Sequence, residues 1–199
     1  MKRKSVTPTM GIMSPDDLAR LLTVAPPNLR VPLAIAAFAG LRSNEIERLT
    51  VEDIDFAKGY ILVPSRWTKT GRSRSVPLAD NLRAWLDGYL PKQGPICHVK
   101  SVMSRVRQLA AQIGIGWSPN LLRRSCVGYQ LALDQSSLQQ ALGCGVPAIP
   151  LQARYWESSD RQTAAKWFSI RPDETGCAAA TAAEDNLGAE RAEQAGIAG

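Results

Sequence analysis

The chain has 199 residues, 45% of them apolar and 21% charged, which suits one ordinary domain with a full core plus a short appendage. Residues 173 to 199 hold six acids and one base, which leaves 23 bases against 12 acids on residues 1 to 172, a balance that suits a polyanionic partner. Scattered cysteines with no C-x-x-C pair, and His98 as the single histidine, argue against both a disulfide framework and a metal site.

No run of 18 apolar residues could span a membrane, and Met1-Lys2-Arg3-Lys4 lacks the apolar stretch of a signal peptide behind it, so a cytoplasmic protein is expected. Ser14-Pro15-Asp16-Asp17 reads as a helix start, with serine as cap, proline in the first turn and acids where the helix dipole favours them. That helix should run to about Ala25 and be broken by Pro26-Pro27. Val31 to Ala39 is apolar nearly all round, which predicts a central, buried helix ended by Gly40 in a left-handed turn. Arg42 would then sit between that helix and another begun by Ser43. Glu45, three residues on, either holds the guanidinium in place or belongs to a solvated helix face.

Asp53-Ile54-Asp55, Tyr60 to Val63 and Arg74 to Pro77 are short β-prone runs, which predicts a small three-stranded antiparallel sheet. Its second hairpin carries Arg66, Lys69, Arg72 and Arg74, four bases within nine residues, as expected of a loop laid against a phosphate backbone. Leu78 to Leu90, with Leu82, Trp85, Leu86 and Tyr89 as its stripe, reads as a helix. So does the segment with Val102, Val106, Leu109, Ala110 and Ile113. Ser118-Pro119 is read as starting a further helix, with Leu122, Cys126, Tyr129 and Leu133 as the buried stripe. Asn120 and Arg123 would share a different face. A short helix from Ser136 to Leu142 closed by Gly143, a loop from Cys144 to Tyr155, and a last helix from Ser159 to Phe168 complete the predicted body. One domain over residues 1–172 and a disordered acidic, alanine-rich tail over 173–199 follow.

The ordered series Gly40-Leu41-Arg42-Ser43-Asn44-Glu45-Ile46, Thr68-Lys69-Thr70-Gly71-Arg72, Ser75-Val76-Pro77-Leu78, Asn120-Leu121-Leu122-Arg123-Arg124-Ser125, Ala141-Leu142-Gly143 and Arg154-Tyr155-Trp156 resembles the catalytic domain of the tyrosine recombinase, or phage integrase, family over roughly residues 14 to 170. The resemblance implies an α+β, mainly α fold, a helical catalytic domain with a small three-stranded antiparallel sheet. It also implies double-stranded DNA as partner, self-association on that DNA, a nucleoid-associated location, and no metal or other cofactor. Its chemistry breaks a phosphodiester when arginines neutralise the non-bridging oxygens, a nucleophile attacks in line and an acid protonates the leaving oxygen. By resemblance Tyr155 is the nucleophile, Arg42 and Arg123 hold the phosphate oxygens, and Lys69 protonates the departing 5′ hydroxyl. Arg66, Arg72, Arg74 and Arg124 are the further DNA-contact candidates. Two positions depart from the family pattern: Asn120 and Cys144 stand where histidine, or histidine or tryptophan, is usual. An asparagine amide can donate to a phosphate oxygen but cannot take the phenol proton, so weakened catalysis, or a catalytically silent DNA-binding relic, is the alternative expectation.

Overall fold

A computed structural model of the chain describes residues 11–68, 71–87, 89–133 and 160–172. Helix α1, Pro15–Val24, opens as the sequence predicts: Ser14 accepts a hydrogen bond from the Asp17 N–H at 3.1 Å, and Leu18, Leu21 and Leu22 face inward. The next helix, α2, spans Pro27–Phe38 and so begins four residues before the expected Val31. Pro26 occupies its cap and Pro27 its first turn, where a missing N–H has no acceptor to lose, so the proline pair starts this helix as well as ending the previous one. Every residue from Val31 to Gly40 is buried.

Helix α2 is the axis of the domain and packs against α1, α3 (Ser43–Ile46), α4 (Asp80–Leu86), α5 (Val102–Gln112) and α6 (Leu121–Leu133). A last described helix, α7 (Arg161–Ser169), is capped by Asp160, whose carboxylate accepts from the Thr163 N–H and hydroxyl at 2.8 and 2.7 Å. It packs on α6 and α1. Trp167 is fully buried, stands edge-on to Phe38 with ring centroids 6.2 Å apart, and lies 4.8 Å from the Tyr129 ring. Ala164 is buried beside it, whereas Ala165 faces outward.

Strands β1 (Ile54–Asp55), β2 (Tyr60–Val63) and β3 (Arg74–Pro77) form the expected antiparallel sheet in that order, with Ile54 opposite Ile61, Ile61 opposite Val76 and Val63 opposite Arg74. Side chains alternate across it: Ile61, Val63, Val76 and Arg74 point into the domain, while Leu62 and Ser75 point out. Helix α4 is shorter than predicted at both ends. The Leu78 N–H donates to the Gly59 carbonyl at 2.9 Å and so extends the sheet's bonding instead of entering the helix. Asp87 turns extended at the other end, leaving Tyr89 outside the helix but still 6.4 Å from the Trp85 ring. Helix α6 likewise starts at Leu121, because Asn120 has φ 57° and cannot belong to a right-handed helix.

The predicted helix from Ser136 to Leu142 and the 173–199 tail lie outside the described residues. Among the described residues no helix is long and apolar enough to cross a membrane.

Candidate active site

The site begins where α2 ends. A buried helix leaves its last carbonyls without partners, and here side chains from α6 and α7 supply donors. Trp167 Nε1 donates to the Ala37 carbonyl at 3.1 Å, Cys126 Sγ–H to that of Phe38 at 3.4 Å, and Arg123 Nη1 to that of Gly40, 83 residues away in sequence. The negative end of the α2 dipole therefore faces the Arg123 guanidinium. Gly40 adopts φ 60°, a left-handed conformation that a glycine takes without a side-chain clash, and this turn delivers Arg42 to the cap of α3 two residues later.

Glu45 sits in the first turn of α3 with no exposed surface, so it is not part of a solvated face. Its Oε2 accepts from the Arg42 backbone N–H at 2.9 Å, and its Oε1 from Arg42 Nη1 at 3.2 Å. Arg74 approaches the same two oxygens from β3, with Nη1 to Oε1 at 3.0 Å and Nη2 to Oε2 at 2.7 Å. Burial alone would raise the Glu45 carboxyl, but the hydrogen bonds from Arg74 and the Arg42 N–H, with the charges of both guanidiniums, hold it below the ordinary range. Arg42 keeps 37% of its side chain exposed, so one edge of this cationic cluster reaches solvent.

Arg74 thus corrects the expectation that it touches DNA. It lies on the inward face of β3, with a side chain 6% exposed, because strand alternation assigns it to the same face as Val76. That signal was present in Arg74-Ser75-Val76: if Val76 packs inward, so does the residue two before it. Arg124 is also engaged within the molecule. Its guanidinium donates to the Pro119 carbonyl at 2.5 Å, to Ser118 Oγ and to the Gly11 carbonyl, tying the turn before α6 to the segment before α1. The two remaining described bases of the hairpin, Arg66 and Arg72, are exposed. Arg66 stacks on the Trp67 ring at 5.0 Å, and the Thr68 hydroxyl bridges the Arg72 carbonyl and N–H at 2.9 and 3.1 Å.

Asn120 is exposed and precedes α6 rather than sharing a helical face with Arg123. Both residues line a cleft of about 330 Å³, together with Ser43, Arg107 and Trp117. Arg107 was not singled out by sequence reasoning, since it falls in no motif, and Ser43 was read there only as the start of α3. Lys69, Cys144 and Tyr155 lie outside the described residues. Among the described residues, Cys126 and Tyr129 are buried groups bonded within the fold. Burial pushes the Cys126 thiol up to about 12, with the Arg123 charge acting against it. Tyr129 is likewise pushed up to about 12 by burial, with the Asp160 charge adding to it, and donates its hydroxyl to the Met13 carbonyl at 2.8 Å. Among the described residues no three His, Cys, Asp or Glu side chains are grouped so as to hold a metal ion.

A mainly helical domain with a small three-stranded antiparallel sheet is the fold found in tyrosine recombinase catalytic domains. Residues 12–144, more than half of the chain, match the phage integrase family, and the chain belongs to it. Tyrosine recombinase XerA of Pyrococcus horikoshii is 27% identical over 150 residues, 66% of this chain and 52% of that protein, so the chain spans about half the length of this curated relative. The crystal structure of XerA recombinase superposes with a TM-score of 0.61 at 22% identity, covering 86% of this chain and 66% of the other. XerH site-specific recombinase, in its pre-cleavage complex with difH substrate, gives a TM-score of 0.54 at 17% identity over 74% of this chain and 51% of the other. At these identities the structural likenesses establish the fold.

Proposed function

We propose that this chain carries the strand-cleaving machinery of a site-specific DNA recombinase, which cuts and rejoins double-stranded DNA through a 3′-phosphotyrosyl intermediate. In this reading the Tyr155 phenol oxygen attacks the phosphorus, the bond to the 5′ oxygen breaks, and Lys69 gives that oxygen its proton. Arg42 and Arg123 hold the non-bridging oxygens, Asn120 and Cys144 are further donors to them, and the phenol proton leaves to water because Asn120 has no basic nitrogen. The bond energy is kept in the phosphotyrosine, so a second strand can religate without a nucleotide cofactor or metal.

The observation that carries this reading is the bond from Arg123 to the Gly40 carbonyl, which joins the two arginine motifs at one turn. Exposed Arg66 and Arg72 on the β2–β3 hairpin support a DNA backbone lying across that edge; a nucleoid-associated location is part of the same proposal. One nucleophile per chain makes exchange of both strands depend on self-association on DNA.

Incubating the protein with a nicked duplex, so that the released end diffuses away, should trap a covalent protein–DNA adduct. Tyr155→Phe should form none while binding DNA within a few-fold of the parent, and Arg42→Ala or Arg123→Ala should slow formation by about 10² or more. An adduct persisting in Tyr155→Phe would sink the nucleophile assignment. DNA binding with no adduct from the parent would favour the silent relic, for which the loss of a basic group at Asn120 is the reason.

A further inference from the structure

We propose that Arg74 is a positioning residue for Arg42, acting through the buried carboxylate of Glu45; the proposal rests on the catalytic reading of Arg42 given above. The geometry is a shared carboxylate. Oε1 accepts from Arg74 Nη1 at 3.0 Å and from Arg42 Nη1 at 3.2 Å, and Oε2 accepts from Arg74 Nη2 at 2.7 Å and from the Arg42 backbone N–H at 2.9 Å. A two-pronged guanidinium–carboxylate contact sets the plane of the carboxylate as well as its place. That plane in turn sets both the backbone entry of Arg42 into α3 and the direction of its guanidinium.

The charges are asymmetric in a way that fits this role. Two guanidiniums share one carboxylate, so the cluster retains one positive charge. Arg74 has 6% of its side chain exposed against 37% for Arg42. The surplus therefore has its outlet on Arg42, at the end facing a reacting phosphate. Stability alone does not account for the arrangement, because a buried ion pair gains little over well-packed apolar residues of the same volume. Arg74 Nε is in addition a buried donor without a partner, which disfavours burial. Holding Arg42 to within a fraction of an ångström does account for it, since a misplacement of about 1 Å can cost on the order of 10²-fold in rate.

The test uses the full chain with Arg74→Met, which keeps an unbranched apolar stem without the charge, and Arg74→Lys, which keeps the charge but not the fork. On the nicked duplex, Arg74→Met should form adduct about 10- to 100-fold more slowly than the parent, with DNA affinity within about twofold. Arg74→Lys should fall between them. On a duplex with a neutral methylphosphonate at the cleaved position there is no non-bridging charge to neutralise, and the gap between parent and variant should shrink to under about threefold. A rate equal to the parent's on the ordinary duplex would overturn the proposal. So would an equal deficit on both duplexes, which is what a merely structural role produces. The second measurement needs no catalysis: the Nη resonances of Arg42 by nitrogen-15 NMR should be resolved in the parent, where rotation is hindered, and averaged in both variants. Unchanged resonances would overturn the proposal even if the parent forms no adduct, an outcome that would separately sink the catalytic reading. Should Arg74→Met fail to fold, Arg74→Lys carries each comparison.

Discussion

The inner and outer edges of the small sheet use the same residue type in opposite ways. On the inner side Arg74 meets a carboxylate with no exposed surface and has almost no solvent contact of its own. At the outer hairpin Arg66 lies over the Trp67 ring in solvent, and Arg72 is exposed. Arg72 and Arg74 are two residues apart, yet one lies on the loop and the other inside the ladder. The teaching is that a cluster of bases in sequence is not a basic surface: strand alternation and the location of one acid divide it into a positioning group and DNA-contact candidates.

The largest effect should come from removing the acid. Glu45→Ala leaves Arg74 buried and unpaired, so unfolding stability should fall by about 3–5 kcal/mol in a denaturant titration. Arg66→Ala and Arg72→Ala should each stay within about 0.5 kcal/mol of the parent. A Glu45→Ala variant as stable as those two would erase the distinction between the inner and outer edges.

The second effect is on the pH limits of stability. The Glu45 carboxyl is lowered in the folded state, so its contribution is present above its ordinary value of 4.5 and is lost as pH falls through the lower folded value. Cys126 is raised from 9.0 to about 12, and Tyr129 from 10.0 to about 12. The unfolded chain therefore releases these protons first, and stability should decline as pH rises from about 9 to about 12. Melting curves across pH should show an acid limb that Glu45→Gln changes and an alkaline limb that Cys126→Ala weakens. An alkaline limb identical in Cys126→Ala and the parent would remove the thiol from this account.

The smallest effect sharpens the outer half of the comparison. If the proposed DNA path crosses the hairpin, each of Arg66→Ala and Arg72→Ala removes one phosphate contact and should reduce the salt slope of duplex binding by about one, with little change in sequence preference. Slopes equal to the parent's would move the DNA path off the hairpin.

Much of the fold was legible because its signals are local. Ser14 caps α1, Gly40 takes the left-handed turn, the strands alternate, and Leu122, Cys126 and Tyr129 form one buried stripe at helical spacing. Each depends on a backbone angle or a repeat of two or 3.6 residues, which neighbouring residues determine. The boundaries were less legible where a competing partner lay elsewhere in the chain. Leu78 bonds to Gly59 instead of entering α4, and the left-handed Asn120 delays α6.

Motif order pointed, by resemblance, to the family and to Arg42 and Arg123. What only the tertiary structure decided is how they are held: Arg123 on the Gly40 carbonyl, and Arg42 on a carboxylate that Arg74 orients. Glu45 could be read from its position as a helix-face acid or as a partner of Arg42, because position i+3 permits both. Its second partner, Arg74 of β3, comes from 29 residues further along the chain. Local spacing limits which groups can meet, whereas long-range packing removes the water that would otherwise screen them, and it is that removal which turns three scattered charges into one oriented cluster.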